Sequence, residues 1–339
     1  MKPDFERNVH RILKGERPER ATLFELFIDT AVCKKTVGHD FEDDTPLSVI
    51  KLRSEAMHAL GYDFATCYAS GVRFPPQGTA RKQTASLNAG AHITDWESFE
   101  AFKWPDMRVT DRDALLRARE FLPEGMKLII LGPGGVLENA IDLVGYDNLC
   151  FMLYEEPELV KCICDRIGAG LIDYYEAVAD LDVVGALCYN DDWGFNTQTL
   201  ISPPHLREYV FPWAKRIVEL GHRNGKPCVL HSCGHYESII EDIIGDMHFD
   251  ARHSYEDNIV PVEQAYEALQ GKIAVVGGID VNFLCQKTPE EILARSLAML
   301  QRTAERGGYA LGSGNSIAQY VPTESLNAMR KAVEIFGRG

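Results

Sequence analysis

Eight short apolar runs, separated by stretches with helical periodicity, constrain this chain more than any other feature. They fall at residues 22–27, 64–68, 127–131, 183–189, 227–231, 249–253, 273–277 and 308–312. Each is five to seven residues long and mostly apolar on both faces, as strands covered on both sides by helices must be. Helical patterns lie between them, at about 47–60, 96–102, 111–121, 136–142, 157–179, 203–223, 239–244, 261–269, 289–306 and 324–336, with an opening helix at 5–13. A bend is expected at Pro212. Eight alternating units are the number that closes a parallel barrel. No spare hydrophobic block calls for a second core, so the expected architecture is one α/β domain, a (β/α)8 TIM barrel spanning 1–339. A doubly wound open sheet is the alternative, but it would more often carry a glycine-rich cofactor turn after its first strand. The Gly132-Pro133-Gly134-Gly135 turn has neither the Walker nor the dinucleotide spacing and reads as a tight strand-to-helix turn.

Composition narrows the function classes. Hydrophobic residues make up 45% of the 339 and charged residues 25%, enough for a large core. The formal charge is -15 with no basic stripe, which argues against nucleic acid and anionic membrane surfaces as partners and favours a small molecule. There is no apolar stretch of membrane-spanning length, and the charged opening does not look like a signal peptide, so a cytoplasmic protein is expected. Its nine cysteines are scattered and odd in number, unlike a disulfide framework, and should be reduced.

A parallel barrel collects the carboxyl ends of its strands on one rim, where such enzymes keep their chemistry. The polar residues just past the strands then form one set: Glu25 and Asp29, Ser70 and Arg73, Glu138 and Asn139, Asn190, Asp191 and Asp192, His231, Cys233 and His235, His253 and Glu256, Asp280, and Asn315 with Ser316. His231 and Cys233 stand out. Side chains at i and i+2 of extended backbone leave on the same face, so both can reach one ion. The competing reading is a hydrogen-bonded histidine beside a buried thiol. Asp192 also ends an apolar strand, where a polar group needs a partner or a task. Its neighbour Asp191 could simply cap a turn. The segment 69–93, rich in Gly, Pro, Gln and Thr, is expected to help cover the site.

Several motifs together resemble the uroporphyrinogen decarboxylase superfamily. They are Asn190-Asp191-Asp192-Trp193-Gly194, Ile201-Ser202-Pro203, Gly225-Lys226-Pro227, His231-Ser232-Cys233-Gly234 and Gly277-Gly278-Ile279-Asp280, with support from 15–20 and 143–149. Within it the chain looks closer to the zinc-dependent, cobalamin-dependent methyltransferase branch. The resemblance implies a single distorted (β/α)8 barrel, in agreement with the strand count. Decarboxylases of the family use no cofactor, hold substrate carboxylates with basic residues near the amino terminus and place an aspartate after the second strand. Here the matching places hold Glu25 and Asp29, and Ser70, which would receive a polyanionic porphyrinogen poorly.

The methyltransferases hold zinc with a His-x-Cys pair after the fifth strand and a distant cysteine after the eighth. His231 and Cys233 match the pair, while the third place falls on Asn315, a weak zinc ligand. The resemblance therefore implies zinc at His231 and Cys233, completed by His253, Glu256 or Asp192, or else a site from which zinc has been lost. An oxygen- and nitrogen-rich site would suit an ether or amine methyl group better than a thiol.

The leading expectation is methyl transfer between a small substrate and a corrinoid. Asp192, His231 and Asn315 would do the chemistry, and Glu25, Arg73, Asn190, His253, Glu256 and Asp280 would face the substrate. No corrinoid-binding Asp-x-His-x-x-Gly segment is present, so the corrinoid would arrive on a separate partner protein. The alternatives are a cofactor-free carboxy-lyase with Arg73 or Arg81 as carboxylate clamp, and a binding barrel without catalysis. By analogy with the family's decarboxylases, a homodimer through the rim is expected.

Overall fold

The structure is a computed structural model describing residues 2–43, 45–74 and 91–337. Seven parallel strands run in chain order across one sheet: β1 (Phe64–Tyr68), β2 (Lys127–Leu131), β3 (Val184–Asn190), β4 (Cys228–His231), β5 (Ala251–His253), β6 (Ala274–Val276) and β7 (Tyr309–Ala310). Every pairing is between neighbours in sequence and every connection carries helix, as parallel pairing requires. The register sets Asn190 opposite His231 and His231 opposite His253, so three expected site residues stand on one level at the carboxyl ends of β3, β4 and β5.

The eighth run, expected at 22–27, is not a full strand. Leu23 forms a single parallel bridge to Leu311, with Phe24 N donating to Leu311 O at 2.8 Å and Leu311 N to Thr22 O at 2.9 Å. Ile28 bridges Ile317 farther along. Toward β1 the contact is made by side chains: the Phe24 and Phe64 rings lie 5.3 Å apart, and among the described residues no ladder joins the two segments. The segment is pressed instead against the turn after β7, where a Cβ on Gly312 would come within 1.6 Å of Phe24 O. The sheet therefore curls through seven strands and is bridged to an eighth segment without closing by hydrogen bonds.

The helices follow their local signals. Pro46–Leu60 opens on Thr45, whose hydroxyl accepts from Ser48 N, and stops at Gly61 with φ +94°. Pro157–Ala179 takes proline in its first turn. The expected helix at 203–223 is helical throughout, with Pro203–His205 and Phe211–Arg223 joined by a wider helical turn at Leu206–Val210, and Pro212 stands in the first turn after it. Three helices were not anticipated: Thr30–Val37, Tyr146–Glu155 and Val281–Gln286. The first and last are capped by Asp29 and Asp280, which accept from Ala31 N and Phe283 N. All nine cysteines are free thiols. No helix among the described residues is long and apolar enough to cross a membrane.

Candidate metal centre

Beyond the ends of β3 and β4 the chain makes two loops that are fastened to each other. Asp192 Oδ1 accepts the Cys233 N–H at 2.8 Å, Trp193 N donates to Ser232 Oγ at 3.2 Å, and His235 N donates to Phe195 O at 2.6 Å. Glycines allow this approach. A Cβ on Gly234, whose φ is +85°, would stand 2.1 Å from Gly194 O, and one on Gly194 would stand 2.6 Å from His235 N. The result is that Asp192, His231 and Cys233 each offer one donor atom, all within 4.8 Å of one another.

Each member of this trio is oriented by neighbours. His231 is buried; its Nδ1 lies 2.8 Å from Nδ1 of His253, and its Nε2 lies 3.7 Å from Cys233 Sγ. Burial, reinforced by the Arg252 cation, pushes the His231 pKa down to about 3, so the ring is neutral at neutral pH. Cys233 is pushed the other way by burial and by the Asp192 carboxylate, and carries its proton at neutral pH. Asn315 Nδ2 donates to Cys233 Sγ at 3.3 Å, and Ser254 Oγ lies 3.8 Å from the same sulfur.

Arg252 was not anticipated. It is 1% exposed, packs on the rings of Tyr236 and Tyr255 at 3.5 and 4.9 Å, and donates to Ser254 O at 2.6 Å and Ser232 O at 3.1 Å. It thus ties together the two backbones that carry Cys233 and Ser254.

Imidazole, thiolate and carboxylate are donor types that zinc sites use. The donors present therefore fit the metal, with Asp192 beside His231 and Cys233 in the trio. His253 does not fill that place. Its Nδ1 is taken by His231, its Nε2 lies 3.2 Å from Ser313 O, and it is fully buried. Glu256 stays outside the trio, against the Gly234 backbone, with its pKa raised by burial.

Other expected residues lie apart. Glu25 is fully buried rather than facing open solvent; it accepts from Ser313 N at 2.8 Å and shares a 2.5 Å hydrogen bond with Ser313 Oγ, and burial raises its pKa to about 8. Asp280 also accepts from Asp257 N at 3.0 Å. Arg73 stacks on Tyr68 and donates to Ser70 O and Val72 O. Arg81 lies outside the described residues. Asn190 keeps a buried Oδ1 with no hydrogen-bond partner, at the level of His231. Glu138, across from Asp192, is pushed well above the usual carboxylate range by burial and then by the charges of Asp192 and Asp191.

A second trio, His222, Cys228 and Asp250, sits at the opposite end of the strands. Its donors are occupied: Asp250 Oδ2 bonds His222 Nε2 at 2.8 Å and Cys228 N at 2.7 Å, while the thiol points at the carbonyls of Val218 and Lys226. It pins a helix end to two strands.

Residues 70–336 match the family model described as uroporphyrinogen decarboxylase (URO-D), and the chain belongs to that family. A uroporphyrinogen decarboxylase of Anaeromyxobacter dehalogenans (strain 2CP-C) is 26% identical over 233 residues, which are 66% of this chain and 63% of the relative. Another, from Anaeromyxobacter sp. (strain Fw109-5), is 25% identical over 232 residues, with the same coverage. The matches thus span less than two thirds of those relatives. Among solved structures, a methyltransferase from Methanosarcina mazei shares the fold, with a TM-score of 0.71 over 97% of both chains at 19% identity.

Proposed function

We propose that this protein is a zinc-assisted methyltransferase that moves a methyl group between a small substrate and a corrinoid carried on a separate partner protein. The observation that carries the reading is the convergence of Asp192, His231 and Cys233 within 4.8 Å at the carboxyl ends of the strands. The shared fold with a methyltransferase supports it. On this reading the whole chain is one (β/α)8 barrel domain, its last seam filled by the Phe24 and Phe64 rings. A cytoplasmic location and a homodimer through the rim complete the reading by family analogy.

His231, Cys233 and Asp192 would hold the zinc. When bound, the metal supplies a Lewis acid that polarises the atom bearing or receiving the methyl group. Asn315 steadies the Cys233 sulfur through its N–H and keeps its own oxygen on Ser316 Oγ at 3.2 Å, so its role is to orient a donor. Asn190 Oδ1 is the acceptor left for a substrate N–H or O–H. Beyond burial, the Asp192 and Asp191 charges raise the Glu138 pKa and make this end of the strands a setting that favours a neutral or cationic substrate over a polyanion.

A second reading, favoured by the names of the sequence relatives, is a cofactor-free carboxy-lyase with Arg73 as clamp. It expects carbon dioxide release insensitive to chelator and cobalamin.

The deciding experiment is metal analysis of purified protein together with methylcobalamin demethylation against thiols, amines and aryl methyl ethers. About one zinc per chain is expected in the wild type, with loss in Cys233→Ser and Asp192→Asn. An acceptor-dependent change in the cobalt spectrum should be lost in the same variants. A zinc-free wild type whose methylcobalamin spectrum no acceptor changes overturns the proposal.

A further inference from the structure

Behind the candidate metal centre a line of buried groups runs from the first segment of the chain to His231. Glu25 holds Ser313 by both its backbone N–H and its hydroxyl, at 2.8 and 2.5 Å. Ser313 O faces His253 Nε2 at 3.2 Å, and His253 Nδ1 faces His231 Nδ1 at 2.8 Å. Glu25, Ser313 and His253 have no exposed surface, so water does not compete for these bonds. Phe24 lies against the His253 ring, with centroids 5.7 Å apart.

The direction of each bond follows from elementary donor and acceptor rules. A carbonyl oxygen only accepts, so His253 Nε2 carries a hydrogen. A neutral imidazole has one N–H, so His253 Nδ1 is bare and accepts. His231 Nδ1 must then be the donor, and its remaining nitrogen, Nε2, is left with a lone pair pointing toward Cys233. An imidazolium at His253 would reverse the last bond, but the ring has no exposed surface and its two nitrogens face a carbonyl and another imidazole rather than a carboxylate, so a charge there would be buried without a counter-ion.

We infer that His253 and Ser313, braced by Glu25, are positioning residues that hold His231 in the Nδ1-protonated tautomer, so that the metal-binding nitrogen is selected before any metal arrives. Gly277 leaves the room for this line: a Cβ there would stand 2.4 Å from Ser313 O and 2.8 Å from His253 Nε2. Glu25 then acts at a distance from the rim by aiming the Ser313 carbonyl, rather than by touching substrate. The inference rests on the proposed metal role of His231 only for its consequence, and the tautomer can be read without metal.

The test is long-range 1H–15N correlation on metal-free protein labelled with 15N-histidine, with assignments from His231→Gln and His253→Gln. The expected wild-type pattern is His231 protonated on Nδ1 and His253 on Nε2. Zinc affinity by chelator competition should fall roughly 10- to 100-fold in His253→Leu. His253→Gln, which can both donate to Ser313 O and accept from His231, should restore most of it, with circular dichroism confirming that both variants fold. A wild-type His231 protonated on Nε2, or undiminished zinc affinity in His253→Leu, overturns the inference. If the wild type takes no zinc, the metal reading fails and the nitrogen spectrum alone decides the tautomer.

Discussion

At the end of β3 two adjacent carboxylates leave the backbone toward different neighbours. Asp191 turns inward and accepts four hydrogen bonds, from Leu137 N at 3.1 Å, Glu138 N at 2.9 Å, Tyr189 OH at 3.0 Å and Trp193 Nε1 at 2.8 Å. It caps the helix Val136–Val144, and burial raises its pKa to about 6 against the pull of those donors. Asp192 reaches Cys233 instead. Position alone suggests that Asp191 caps the next turn, yet the helix it caps lies upstream, with Leu137 54 residues away, where local spacing gives no sign of it. Removing Asp191 orphans four donors, so Asp191→Ala should cost about 2–4 kcal/mol in urea unfolding. Asp192→Ala should cost about 1 kcal/mol or less and act on zinc content instead. Equal loss of stability in the two variants would contradict this division.

Among the elements, strand alternation was the most informative local signal. It placed His231 and Cys233 on one face, and they do meet, with Nε2 and Sγ 3.7 Å apart. What alternation did not disclose is the fastening of the two loops, because that depends on backbone atoms. Gly194 and Gly234 face each other across a gap that a methyl group would close. Arg252, Ser254 and Ser313 went unnoticed for a related reason: Arg252 and Ser313 work through main-chain carbonyls, which have no residue signature. The helix Tyr146–Glu155 has no local start signal because it follows Val136–Val144 across Gly145 alone, and Val281–Gln286 is too short, at six residues, to show a helical period. The loop fastening carries its own prediction. Gly234→Ala should push the loops apart and lower zinc affinity at least tenfold, since it adds a Cβ at a positive φ against Gly194 O. Unchanged affinity by chelator competition would show that the loops tolerate separation.

Across the whole molecule the ends of the chain meet at the segment around Leu23. Its backbone pairs with the turn after β7, and its side chains pack toward β1. Phe24 is the hinge of that contact, buried between the Phe64 ring and His253. Phe24→Ala should therefore cost about 3–5 kcal/mol, as large-to-small core changes do. It should also free the His253 ring, visible as broadened His253 resonances. A stability loss below about 1 kcal/mol would mean that the seam is held elsewhere.

The order and parallel direction of the strands, and the level at which Asn190, His231 and His253 stand, were legible from residue patterns alone. Such patterns report which face of a local element is buried, and a parallel sheet with helical connections follows from them with few alternatives. The apolar runs predict eight paired strands, and among the described residues seven form ladders, because ladder formation in the first run depends on the turn after β7. Which third group joins His231 and Cys233 stays open in the sequence among His253, Glu256 and Asp192, and only the tertiary structure brings Asp192 within 4.8 Å of both and withdraws His253 into a chain of hydrogen bonds. The physical reason is range: burial periodicity acts over a few residues, whereas the bonds that orient this site join groups as far apart in sequence as Glu25 and Ser313, 288 positions from one another.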